Sequence, residues 1–289
     1  MSEKMQSEVS KPVTKVVEMQ TIKEDTLLKQ KVELEKLEIE KKLVLEHLPL
    51  EKLKPLWPRL IISKKVVVIR SNVPNDAYTN QFSHAAATKV LAKAISAGWS
   101  VTDLDGNDAN RTNVETKIGS ADPDFIVHYD HGSAYALYGQ DNNTIKPVLD
   151  TSNVSLFNGK ATSTVSCESA LGLGPLAVST GAKAYIGYDE LHWVHLWYID
   201  DFIEAANAAN YALLEGKTYE EAYELAIKKH NEIYDKLINI DTQAAALILH
   251  NRDHLQIIGN RFATATGIII DLKRCMLRRP CCRRWVVPR

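Results

Sequence analysis

The chain has 289 residues, 45% of them hydrophobic and 25% charged, which is the composition of a globular protein with enough sequence for an ample core. No apolar run reaches the roughly 18 residues of a membrane span, and Met1 to Glu8 shows no charged-then-apolar leader, so the expected location is cytoplasmic, away from membranes. The net charge of −1 hides an asymmetry: Lys273–Arg289 holds seven basic residues and no acid, leaving 28 basic against 36 acidic residues elsewhere, and that acidic body argues against nucleic acid as a partner.

Residues 1–58 form a separate region. The first 22 are polar and unpatterned, as in a disordered start. From 23 to 54 leucines and valines alternate with many Glu and Lys, and pairs such as Glu38–Lys42 favour a helix. The stretches Val32-Glu-Leu-Glu and Leu37-Glu-Ile-Glu keep a strand reading open. We expect a charged helical extension, a pro-segment or a self-association surface, closed by Pro49, Pro55 and Pro58.

Residues 59–272 read as an α/β domain. Lys65–Arg70 is a continuous β-branched run, as in a buried parallel strand. A helix is expected at 79–97 and a strand from Trp99 to Leu104. A brief helix at 114–118 and a strand from Phe125 come next. Gln140–Lys146 reads as loop, Ala161–Cys167 as strand, Ser169–Thr180 as helix and Lys183–Tyr188 as strand. Helices then dominate: Trp197–Leu214, another opened by the capping box Thr218-Tyr-Glu-Glu221, and Thr242–Leu249. His254–Ile258 is a last strand. The spacing predicts a mostly parallel central sheet flanked by helices. The basic tail at 273–289, with Cys275, Cys281 and Cys282, does not continue this pattern and matches no usual zinc spacing.

Two strand endings carry chemistry. Phe125-Ile-Val-His-Tyr-Asp-His131-Gly132 ends on an imidazole, and Ala161-Thr-Ser-Thr-Val-Ser-Cys167 ends on the only thiol of the body. Carboxyl ends of parallel strands are where sites assemble, so a nucleophilic Cys167 with His131 as its base is the sharp reading. A helix starting at Ser169 would aim its positive end at the thiol. Gly132 would let a substrate approach, its amide joining that of Cys167 as oxyanion donors. Asp130 points away from its neighbour His131. His128 and His131, three apart on a strand, likewise face opposite sides, which argues against a shared metal. Gly172-Leu-Gly174-Pro-Leu-Ala177 fits a dinucleotide fingerprint, and that keeps an NAD- or NADP-binding oxidoreductase open, although its first glycine lies well beyond the strand. A binding or scaffold protein without turnover is the third reading.

His131-Gly132, Val165-Ser-Cys167 and Gly181-Ala-Lys-Ala-Tyr-Ile-Gly187, in that order, resemble the caspase-like clan of cysteine peptidases, and within it the gingipain-type family. Leu255-Gln-Ile-Ile-Gly259-Asn260 is similar to that family's later hydrophobic strand, departing from it at Asn260-Arg261. The resemblance covers about residues 64–262. It implies an endopeptidase that acts on protein or peptide substrates through Cys167 and His131; no cofactor is expected, and the sequence shows no clear ligand cluster for the calcium that parts of the clan depend on. It also implies a specificity pocket near Asp189, Glu190 and Trp193, with Trp197 as a further wall, where a carboxylate would select Arg or Lys.

Overall fold

A computed structural model of the chain describes residues 64–268, all within one compact unit. The expected N-terminal extension and basic tail lie outside the described residues.

The first strand, β1 (Lys65–Arg70), explains the architecture. Its side chains alternate between two cores: Val66 and Val68 face one, Val67 and Ile69 the other. A strand covered on both faces must be apolar throughout, which is why this one shows no alternation in sequence. The chain continues through a π-helical turn at Tyr78–Ser83 into α1 (His84–Ser96), then β2 (Ser100–Asp105), α2 (Arg111–Ala121) and β3 (Phe125–Tyr129). A small antiparallel sheet follows: β4 (Gly132–Ser133), β5 (Ala136–Asp141) and β6 (Thr144–Asp150). After it come β7 (Ala161–Val165), the short α3 (Leu173–Ser179) and β8 (Ala184–Tyr188). Three longer helices, α4 (Ile199–Leu214), α5 (Tyr219–Leu237) and α6 (Thr242–Asp253), lead to β9 (Leu255–Gly259) and the two-residue strands β10 (Ala263–Thr264) and β11 (Gly267–Ile268).

The main sheet has the order β2-β1-β3-β7-β8-β9, parallel except where β8 meets β9. The chain leaves β1 toward one edge and returns to β3 on the other side, so a topological switch point lies between β1 and β3. Crevices at such points, at the carboxyl ends of the strands, are where sites form. Buried polar groups fix the layers above this edge. Tyr129 on β3 donates to Asn207 Oδ1 (2.5 Å) and accepts from Asn210 Nδ2 (2.7 Å), and Asn207 Nδ2 donates to Ala86 O on α1 (3.0 Å).

Three elements differ from the sequence reading. The segment read as a loop at 140–146 is the tip of the β5–β6 hairpin. Asn142 and Asn143 form its turn with φ of 51° and 57°. Left-handed pairs of this kind match the twist of a hairpin. The helix expected from Ser169 starts only at Leu173, after turns that include Glu168 at φ 54°. The helix expected at 114–118 extends over 111–121, with Asn110 Oδ1 accepting the amide of Asn113 as its cap.

Candidate active site

The strands β3 and β7 lie side by side, their pairing ending with Tyr129 level with Val165, and His131 and Cys167 each follow two residues beyond that last pair. Gly132 shows how tightly the two ends abut. A Cβ added there would lie 2.5 Å from the carbonyl oxygen of Cys167 and 2.7 Å from Ser166 Cβ. No side chain fits, so the glycine is a packing requirement. His131 and Cys167 both line one open cleft of about 330 Å³.

His131 is held from behind. Its Nε2 lies 2.6 Å from Asp76 Oδ2, and the Tyr78 ring stacks on it at 5.0 Å and 29°. The carboxylate fixes Nε2 as the protonated nitrogen and leaves Nδ1 as the basic one. Asp76 serves two elements at once. Its Oδ1 accepts the amides of Tyr78 (3.0 Å) and Thr79 (3.3 Å), capping the π-helical turn, while Oδ2 faces the imidazole. Sequence reasoning missed it, because an acid before a helix reads as a cap and nothing more.

Cys167 is half-buried, and its Sγ accepts the backbone N–H of His192 at 3.4 Å. Burial pushes the thiol above its ordinary range, Glu168 and Glu190 add to this, and the His192 amide opposes it. The helix expected from Ser169 opens only at Leu173, and turns occupy the residues between it and Cys167. The thiol is therefore protonated at rest, and a base must draw its proton as it attacks.

Two neighbours hold the strand ends without facing the cleft. His128 is buried. Its Nε2 donates to Tyr138 O (2.6 Å), and its Nδ1 meets Ser166 Oγ (2.9 Å) and Thr164 Oγ1 (3.1 Å). Both nitrogens are thus engaged within the protein, and burial lowers the imidazole to about 4. Asp130 is also buried. It accepts the Ser71 hydroxyl and, at 2.5 Å, the amide of His131, and burial pushes its carboxyl up to about 7. It grips the backbone of His131, whereas Asp76 grips the ring.

The residues expected to select a basic side chain are dispersed. Asp189 pairs with His254 Nδ1 at 2.8 Å, and Glu190 accepts the amide of Leu191 at 3.0 Å. Among the described residues, neither these two nor any other carboxylate lines the cleft. Trp193 does line it, whereas Trp197 is 86% exposed and does not. After β8 the chain places Leu191, Trp193, Val194 and Leu196 in the cleft lining, with the His192 amide on the sulfur.

No protein-family model matches the sequence, nor does any curated protein. Comparison with solved structures is more informative. Gingipain R (RgpB), an Arg-specific cysteine proteinase, aligns over 71% of this chain and 47% of its own, with a TM-score of 0.50 at 10% identity. The fold is caspase-like. The complex of the RgpB pro- and mature domains from Porphyromonas gingivalis gives 0.47 at 10% identity, over 69% of this chain and 47% of that one. Caspase-1 from Spodoptera frugiperda gives 0.39 at 11%, over 68% and 85%. The chain spans about half the length of the gingipain structures it matches.

Within this caspase-like fold the dinucleotide fingerprint has no room for a phosphate. β7 ends at Val165, and Gly172 lies several residues beyond the tight turn that the fingerprint needs. A Cβ at Gly172 would meet Ala134 O and the Tyr135 ring at 2.5 Å, and one at Gly174 would meet Ile258 Cδ1 at 2.7 Å. These glycines make room for the protein's own chain.

Proposed function

We propose that the chain is a cysteine endopeptidase in which Cys167 is the nucleophile and His131 the general acid and base. The observation that supports this reading is that His131 and Cys167, each just past the end of one of two neighbouring strands, line the same cleft, with Asp76 hydrogen-bonded to the imidazole. The caspase-like fold supports it.

The protonated thiol gives its proton to His131 Nδ1 as Sγ attacks the scissile carbonyl carbon. Asp76 stabilises the imidazolium that forms, as a buried carboxylate does for a catalytic histidine. The carbonyl oxygen gains negative charge beside the adjacent amides of Gly132 and Cys167. Collapse breaks the C–N bond while His131 returns its proton to the leaving amine, and a thioester remains on Sγ. Water, deprotonated by the same histidine, releases the acid and restores the thiol. A protein or peptide is the substrate. The direct test is digestion of a peptide library by the full chain and by Cys167→Ala. Cleavage must vanish in the variant, and unchanged cleavage would refute the assignment.

A further inference from the structure

We infer that the cleft beside Cys167 accepts a large apolar side chain, such as Leu, Met, Phe or Tyr, from the residue that supplies the attacked carbonyl. This inference rests on the peptidase reading and adds its substrate class. The walls are Tyr78, Leu191, Trp193, Val194 and Leu196, over a floor formed by His192. Leu191, Trp193 and Leu196 are 40–46% exposed, an apolar surface held open to solvent next to a nucleophile. Such patches on a soluble domain mark binding surfaces.

The floor bears no charge. His192 is 5% exposed and packs on Phe82 (5.4 Å) and Tyr188 (4.7 Å). Its Nε2 accepts from Asn251 Nδ2, and its Nδ1 faces the Tyr78 hydroxyl, each at 3.3 Å. Burial drives this imidazole to about 3, so it stays neutral across the working pH range. A basic side chain would find no carboxylate in the lining, and an acidic one no cation. The apolar walls offer such a side chain less than they offer a large apolar one.

The wall is also fixed in place. Asn251 on α6 accepts the Trp193 amide at 2.9 Å and donates to the Trp193 carbonyl at 2.7 Å. This double clamp fixes the Trp193 backbone beside the cleft before a substrate arrives, and preorganisation of that kind lowers the cost of binding.

The test uses the full chain with quenched peptides that differ only in the residue before the scissile bond. Leu, Phe, Arg, Lys and Asp are compared. The expected result is a kcat/KM at least about tenfold higher for Leu or Phe than for the charged residues. Trp193→Ala should raise KM for Phe with little change in kcat, and Leu191→Asp should shift preference toward Arg. A wild-type preference for Arg or Lys, removed by Glu190→Gln or Asp189→Asn, would overturn the inference and leave the peptidase reading standing. If no peptide is cleaved and no acyloxymethyl ketone labels Cys167, the peptidase reading fails instead. Calorimetric titration of Cys167→Ala with product peptides ending in Leu or Arg then decides the cleft's preference without turnover. Tighter binding of the Arg peptide overturns it.

Discussion

At the scale of single residues, the site depends on contacts that tolerate little change. Asp76→Asn leaves one oxygen where two accept hydrogen bonds: if it stays with the Tyr78 and Thr79 amides, an NH2 faces His131 Nε2 and the acceptor and the negative charge are both lost. We expect kcat to fall by about 10²-fold with KM nearly unchanged, measured by steady-state kinetics on a Leu or Phe peptide. A variant as fast as the parent would remove Asp76 from the mechanism. Gly132→Ala forces a Cβ to within 2.5 Å of the Cys167 carbonyl, so the strand ends must separate. Loss of activity together with a lowered melting temperature is the expected outcome. Because burial holds the thiol in its neutral form, iodoacetamide should alkylate Cys167 slowly at pH 7 and faster only above the ordinary thiol range. Rapid labelling at neutral pH would indicate a preformed ion pair. His131 and Cys167 were legible in the sequence because each ends an apolar run, and a reactive group at a strand end stands out. Asp76 was not, since its place in an irregular turn shows no period. Only the fold brings that turn against a residue far along the chain.

Among the elements, strands buried on both faces were the easiest to recognise, because the two cores leave β1, β3 and β8 as mostly apolar runs, with polar residues only at the ends of β1 and at His128 in β3. The half-exposed hairpin β5–β6 was missed for the converse reason: one side faces solvent and carries Lys146, Thr144 and Asp141. Its strongest local signal, Asn142-Asn143, also suits an ordinary loop. The helix after Cys167 was read too long. Gly172, Gly174 and Pro175 already marked its weak start, and the left-handed Glu168 excludes a helix there. The capping box of α5 was read correctly. Glu221 N donates to Thr218 Oγ1 at 3.2 Å, and Thr218 N donates to Glu221 Oε2 at 2.9 Å. Thr218→Ala should cost about 1 kcal/mol, read as a lowered midpoint in urea with an unchanged slope. An unshifted midpoint would show that tertiary packing alone sets the start of that helix.

For the molecule as a whole, buried titratable groups set how stability varies with pH. The fold keeps His128, His192 and His230 neutral down to about 4, 3 and 4, whereas an unfolded chain protonates them below about 6.5. Acidification through this window therefore draws the chain toward the unfolded state. Asp130 acts in the opposite sense. The fold retains its proton up to about 7, and the unfolded chain releases it above about 3.9, so its contribution is lost as pH rises. Three histidines outnumber one carboxyl. The melting temperature should climb between about pH 4.5 and pH 6.5, as followed by calorimetry, and His230→Gln should flatten the slope. A flat profile in the parent would contradict the burial of these rings.

The Asn251 clamp on Trp193 sets an order of events during synthesis. His131 and Cys167 follow β3 and β7, but the residue that clamps Trp193 at the wall of the cleft comes from α6, just ahead of β9. A ribosome that has delivered Cys167 still holds back the part that shapes substrate binding. Nascent chains halted before Asn251 would carry the thiol and the imidazole without the clamp on Trp193, so the cleft would be complete only once α6 had emerged.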